Sequence, residues 1–180
     1  MTSLLLRPWQ AADAGALASI YRGSPDLARQ LGPEAGSAAG AQRIIREDLG
    51  WDPANACNLA LEAGGTAVGN AGISSIDFRH GTAWTYYWLA APVRGKGLAA
   101  RALATLSRWA LEELHLHRLE LGHRTNNPAS CRVALAAGFA PEGIQRAKLR
   151  YGVDRFDVET HARLATDPAP GLPPIELRLP

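Results

Sequence analysis

The chain has 180 residues, of which 47% are hydrophobic and 20% charged, with a formal net charge of +2. That length and apolar fraction suit one domain with a sizeable core, and the near-balanced charge argues against an acidic tail or a strongly basic nucleic-acid binder. Cys57 and Cys131 make neither a disulfide framework nor a metal-ligand pattern, Met1–Arg7 lacks the apolar core of a signal peptide, and no run reaches membrane-spanning length. The expectation is a reduced, cytoplasmic chain with no metal, no membrane contact and no direct nucleic-acid partner.

Leu4–Leu6 reads as a short buried strand, followed by Arg7-Pro8-Trp9. Asp13 is placed to cap a helix that turns Leu17, Ile20 and Tyr21 inward and ends at Gly23-Ser24-Pro25. Residues 32–40 are rich in Gly and Ala without a clear period, and a second helix over about Ser37–Leu49 carries Ile44, Ile45 and Leu49. Trp51 opens a loop and is expected to pack. Asn58–Ala63, the Gly64-Gly65 turn and Thr66–Phe78 form a hairpin, and Arg79-His80-Gly81 turns the chain into Thr82–Leu89.

The organising stretch follows. The apolar, aromatic run Ala83–Leu89 is β-prone, and Pro92 then breaks strand pairing because its nitrogen has no hydrogen to donate. Beyond Arg94-Gly95-Lys96-Gly97-Leu98-Ala99, the residues Leu103, Leu106, Ala110 and Leu114 recur at spacings of three and four, one face of an amphipathic helix. A strand thus delivers a glycine-rich turn to a helix N-terminus, where unpaired N–H groups and the helix dipole favour an anion. Arg94 and Lys96 add positive charge. The pattern reads as a phosphate or pyrophosphate site, distinct from the dinucleotide fingerprint and from the P-loop.

Arg118–Arg124 is another strand. Asn127 is a good N-cap and Pro128 a good first residue for a helix to Ala137, with Gly138 just past its end. Ala140–Leu149 and Arg155–Leu164 form a last hairpin around Tyr151-Gly152-Val153-Asp154. Pro168, Pro170, Pro173 and Pro174 mark a mobile or extended tail. The expected organisation is a single domain over residues 1–165 and a Pro-rich tail over 166–180.

Three segments in this order, Arg94–Ala99, Thr125-Asn126-Asn127-Pro128-Ala129-Ser130 and Ala137-Gly138-Phe139-Ala140-Pro141-Glu142-Gly143, resemble those of GNAT-superfamily N-acetyltransferases of the RimJ/RimL type. The resemblance spans Trp88–Leu164, and Leu6-Arg7-Pro8-Trp9 with Asp13 also matches the group's opening. It implies an α/β fold with a mixed, mostly antiparallel sheet of about seven strands, helices on both faces and a splayed central strand pair. It implies acetyl-CoA as donor and direct acetyl transfer to an amine, above all a protein N-terminal α-amine such as that of a ribosomal protein, with a homodimer as an open oligomeric state. By the same resemblance the backbone of Arg94, Gly95, Lys96, Gly97, Leu98 and Ala99 grips the pyrophosphate, Leu89 and Ala90 pair with pantetheine, and Asn127 binds the pantetheine amide. Ser130 lies near the sulfur, where it can donate a proton or hydrogen-bond the thiolate. A backbone N–H near Leu89 faces the oxyanion.

Relatives carry a glutamate base either in the strand before the loop or in a late strand. Here those places read Trp84-Thr85-Tyr86-Tyr87-Trp88 and Leu149. An α-amine of pKa about 7.8 is about 15% neutral at pH 7, whereas a lysine near 10.4 is only about 0.04% neutral. The missing carboxylate therefore favours an α-amine acceptor. Asp77, His80, Glu120 and His123 are candidates for a water-mediated base, with His123 foremost because its strand would splay from Thr82–Leu89. Cys131 is expected to be buried filler. Two alternatives stay open: a small-molecule amine acceptor such as a polyamine or aminoglycoside, and a non-catalytic acyl-CoA sensor.

Overall fold

The computed structural model describes residues 3–180. Its strands are β1 (Leu4–Pro8), β2 (Trp51–Asp52), β3 (Ala56–Ala63), β4 (Thr66–Asp77), β5 (Thr82–Leu89), β6 (Arg118–Arg124), β7 (Ala140–Tyr151), β8 (Asp154–Leu164) and β9 (Glu176–Leu177). The helices are α1 (Ala14–Gly23), α2 (Ala28–Leu31), α3 (Ala38–Glu47), α4 (Leu98–Glu112) and α5 (Pro128–Ala136). All strands join one sheet in the order β7-β8-β6-β5-β4-β3-β1-β9, with β2 paired to β3. Neighbours are antiparallel except at β5–β6 and β1–β9.

The predicted hairpins form because their turns carry residues that tolerate a left-handed backbone. Gly64 and Gly65 have φ of 60° and 82° between β3 and β4. Helix α4 buries Leu103 and Leu106 completely on one face of the sheet, in the cluster that also holds Leu59, Ile73 and Phe139. Burying each leucine contributes about 1.5–3 kcal/mol. Trp51 packs on Trp109 of this helix, ring centroids 5.0 Å apart. The opposite face is covered by α1 and α3, through Leu17, Ile20, Ile44 and Ile45, against Ala60 and Trp88.

Two local expectations change. Asp13 does not cap α1 with its side chain; it receives two bonds from the Arg7 guanidinium, at 2.7 and 2.8 Å, and one from the Gln10 N–H. Ser37 does cap α3, accepting from Gly40 N–H. The Pro-rich tail is not free of regular structure. Beyond Pro174 the chain regains backbone N–H groups, and Glu176–Leu177 pair in parallel with Leu5–Leu6. Ile175 is buried, its N–H donates to Thr105 Oγ1 at 3.1 Å, and Arg101 donates to the carbonyls of Pro173 and Pro174. This short strand, with β2, raises the sheet from about seven strands to nine.

Candidate active site

Strands β5 and β6 pair only over Thr82–Trp84 with Arg118–Glu120. The Thr85 hydroxyl donates to the Glu120 carbonyl at 2.9 Å, and beyond it the two strands separate into a V. On its other side β5 remains paired with β4 out to Leu89. Ala90 N–H donates to Val68 C=O at 2.8 Å, so Ala90 is turned toward β4. Backbone groups alternate in direction along an antiparallel strand, which turns those of Tyr87 and Leu89 into the V. The Ala90 N–H is thus used by the sheet and cannot pair with a donor molecule; Leu89 has the orientation expected of it, and its carbonyl accepts from Arg94 Nε at 2.9 Å.

Below the V lies the glycine-rich turn. Gly95 and Gly97 have φ of 77° and 73°, and a Cβ built on either would meet nothing within 4 Å. The cradle is therefore open, and Gly97 begins α4 without any side-chain cap. The first N–H groups of α4 face a cavity of about 410 Å³ whose lining includes Gly95, Gly97, Leu98, Ala99, Asn127 and Ser130. Arg94 differs from expectation. Its guanidinium is held by the Leu89 carbonyl and by Asp26, 3.0 Å away, so its side chain braces the loop. Lys96 is exposed at the turn.

Across the V stands the start of α5. Asn127 Oδ1 accepts from Ser130 N–H at 3.2 Å, which fixes the amide so that Nδ2 donates to Ser130 Oγ at 2.9 Å. Ser130 Oγ thus accepts from Asn127 and keeps its own hydrogen for another partner. The Tyr87 hydroxyl donates to the Ser130 carbonyl at 3.3 Å. Burial pushes the Tyr87 phenol up despite that bond, and it pushes Tyr86 up likewise, so both are neutral phenols at pH 7.

Tyr87, Trp88, Asn127 and Ser130 also line a second cavity, of about 740 Å³, on the other side of the V. Its walls include Trp84, Tyr86, Leu149 and Tyr151. A buried chain of side chains supports them: Trp9 Nε1 donates to Asn70 Oδ1 at 2.8 Å, and Asn70 Nδ2 to Asn58 Oδ1 at 3.1 Å. Asn58 Oδ1 also accepts from the Tyr86 hydroxyl at 2.9 Å. Gly72 makes room for the Tyr86 ring, since a Cβ there would come within 2.7 Å of it. At the rim, the Arg29 and Arg124 guanidinium carbons sit 5.0 and 5.5 Å from the Tyr151 ring centre.

His123 lines this cavity, but its ring nitrogens point away from it, into the protein. Nδ1 is 3.0 Å from the Arg124 carbonyl, and Nε2 is 3.1 Å from His161 Nε2. The expectation that His123 takes a proton from the acceptor through water is therefore not supported by its orientation. Asp77 binds the Arg79 and His80 N–H groups at a turn, and Glu120 pairs with Arg118. Cys131 is only half-buried and contacts Glu159, so it is not core filler; burial and the Glu159 charge both push its thiol up, against a nucleophilic role. Cys57 is the buried thiol, pushed up to about 12.

Sequence reading missed Asp26, whose pairing with Arg94 spans two elements far apart in the chain, and nothing local signals it. The junction at Tyr87 and Ser130 joins a phosphate-type groove to a broad polar basin. A profile of the acetyltransferase (GNAT) domain matches residues 3–140. The chain belongs to the GNAT acetyltransferase family.

Members of this family use acetyl-CoA, and the groove of this GNAT chain fits that donor: an open cradle at Gly95 and Gly97, free helix N–H groups, and strand edges bared in the V. Similarity extends to "Probable N-acetyltransferase YjcK" of Bacillus subtilis (strain 168), 39% identical over 69 residues, which are 38% of this chain and 38% of that protein. The match thus spans well under half the length of that relative. Among solved structures, a ribosomal alpha-N-protein acetyltransferase, RimL, in complex with coenzyme A, superposes with a TM-score of 0.81 at 21% identity, covering 91% of this chain and 95% of that one. A chimera of the spermidine N-acetyltransferase SpeG from Vibrio cholerae and hSSAT superposes with a TM-score of 0.73 at 18% identity, covering 91% of this chain and 96% of that one. At these identities the likeness is one of fold.

Proposed function

We propose that this chain is an acetyl-CoA-dependent N-acetyltransferase acting on a protein N-terminal α-amine. The observation that supports it most is the wall of the acceptor cavity beside Ser130, built from Tyr86, Tyr87 and Leu149. These phenols are neutral and engaged in hydrogen bonds. Of the carboxylates that line the cavity, Asp26 and Glu34 are paired with Arg94 and Arg43 at 3.0 and 2.7 Å. Asp48 has no ion pair among the described residues, and its charge is offset by Arg29 and Arg124, which line the same basin. An acceptor that arrives partly neutral suits such walls, and an α-amine meets that need far better than a lysine.

In this reading the α4 N–H groups and Gly95–Ala99 hold the pyrophosphate, and the bared edge of β5 at Tyr87 and Leu89 aligns pantetheine. Asn127, already capping α5, contacts the same arm and aims Ser130. The amine nitrogen forms a bond to the acetyl carbon as the carbon–sulfur bond breaks. Negative charge on the carbonyl oxygen meets a backbone N–H of β5. The departing thiolate takes a hydrogen bond or a proton from Ser130, and the amine releases its own proton to water. Ser130→Ala is expected to lower kcat roughly 100-fold with acetyl-CoA Kd nearly unchanged, the lower end of the range for acid–base groups; an unaltered kcat would leave Ser130 a packing role.

The test is mass spectrometry of an acceptor panel incubated with acetyl-CoA: free-N-terminus peptides, N-blocked lysine peptides, spermidine and an aminoglycoside. Acetyl on the free N-termini supports the proposal. The fold likeness to a spermidine acetyltransferase favours a small polyamine as the second reading, and acetyl on spermidine alone would replace the first with it. A raised thermal midpoint with acetyl-CoA but no acetylated product would point to an acyl-CoA sensor.

A further inference from the structure

Behind the donor–acceptor junction, α5, β6 and β8 bring together His123, Cys131, Glu159 and His161, one ligand atom of each lying within 4.8 Å of the others. Neither donor binding nor acetyl transfer, as derived above, uses this cluster. Glu159 and His161 are two apart on β8 and so share a face, with His123 of β6 directly opposite Glu159. Cys131 enters from the first turn of α5. Both histidines are buried, 7% and 1% exposed. Glu159 and His161 lie beyond the residues matched by the family profile.

The hydrogen bonds fix the tautomers. His123 Nδ1 is 3.0 Å from the Arg124 carbonyl and His161 Nδ1 is 3.2 Å from the Phe139 carbonyl. A carbonyl only accepts, so each Nδ1 carries the hydrogen and each Nε2 of the neutral ring presents a lone pair. Yet the two Nε2 atoms face each other at 3.1 Å. Glu159 Oε2 stands 3.3 Å from one and 3.4 Å from the other. Three electron-rich atoms converge on one buried point, an arrangement that calls for a cation. Ligands about 2.0–2.1 Å from a tetrahedral ion lie about 3.3–3.4 Å from one another, which the observed edges approach.

We propose that His123, His161, Glu159 and Cys131 form a site for one divalent transition-metal ion of the zinc class. Two imidazoles, a thiolate and a carboxylate match a borderline-soft ion and do not match magnesium or calcium, which take oxygen. Binding breaks the Cys131 S–H bond, forms a sulfur–metal bond and releases one proton to solvent. The dipositive ion, the thiolate and the carboxylate then sum to zero charge, which suits a buried place. The Nδ1–carbonyl bonds are the outer contacts that orient metal-bound histidines. Four protein ligands leave no open position, so the ion fastens α5 to β6 and β8 beside Ser130 rather than performing chemistry.

The test uses the full chain, stripped with a chelator and titrated with Zn²⁺ and, for spectroscopy, Co²⁺. One ion per chain should bind and survive desalting, raise the thermal midpoint, and release about one proton. The Co²⁺ form should show thiolate-to-cobalt charge-transfer absorption. His161→Phe keeps a buried ring and should weaken binding by more than the roughly 10–100-fold that losing an outer contact costs. Cys131→Ser should bind more weakly and lose the charge-transfer band. Circular dichroism and acetyl-CoA binding confirm that both variants fold. No stoichiometric binding to the wild-type chain, or binding that both substitutions leave unchanged in affinity and spectrum, would overturn the site.

Discussion

Gly97→Asp should reduce acetyl-CoA affinity by at least about 100-fold, read by calorimetry. Gly97 opens α4 in the left-handed conformation with φ of 73° and faces open space. An aspartate there projects a negative charge into the place where the pyrophosphate meets the α4 N–H groups. Two unit charges about 5 Å apart repel by about 3 kcal/mol at an effective dielectric of 20, and about 2.7 kcal/mol is a factor of 100 in Kd. Gly97→Asn separates the causes: asparagine has the same shape and tolerates the left-handed region as well, yet adds no charge. Its loss should be at most about tenfold. Equal losses in both variants would show that backbone strain alone acts there, and retained affinity in both would remove the turn from the donor site.

Asp13→Asn should lower stability by about 1.5–3 kcal/mol, the usual contribution of hydrogen bonds to a charged group, since Glu62 still pairs with Arg7, and lower the thermal midpoint by roughly 5–10 °C. Arg7 and Asp13 are 9% and 8% exposed and share a two-bond contact, with Glu62 on the Arg7 Nε at 2.7 Å. Burial alone would push the Asp13 carboxyl up. The Arg7 guanidinium and the Gln10 N–H outweigh it and hold the carboxyl below its usual range. A carboxyl depressed in the folded state contributes stability that is complete above its unfolded pKa, about 3.9, and is lost as pH falls through the lower folded value. The gap between wild type and Asp13→Asn, measured by urea unfolding, should therefore be wide at pH 7 and narrow steadily below about pH 4. A gap that does not change with pH would mean that the substitution acts through packing.

These two sites were legible to different degrees. The glycine-rich turn and α4 could be read directly, because an i, i+3, i+4 apolar face and a preceding β-prone run are local patterns. Asn127 and Pro128 were equally local. Asp13 looks like a helix cap in the sequence because chain order shows its neighbours along the chain and hides its contact with Arg7. The resemblance places Ala90 at the donor, whereas the phase of β4–β5 hydrogen bonding decides which residues face the V. His123, Cys131, Glu159 and His161 meet only through the β6–β8 register and the docking of α5, so no spacing in the sequence announces them. Strand β9 was hidden by the prolines before it.

That last strand bears on how the chain is made. Strand β1 leaves the ribosome early, but its outer neighbour β9 follows every other strand of this sheet in chain order. Until then the N–H and C=O groups along that side of β1 stand open to any passing extended peptide. Arg101 and Thr105 on α4 are in place before the tail arrives, and they supply the contacts that seat Pro173–Ile175 alongside it. Docking of Pro173–Leu177 is therefore the event that covers this side of β1, and a chain released before it would keep an adhesive margin there.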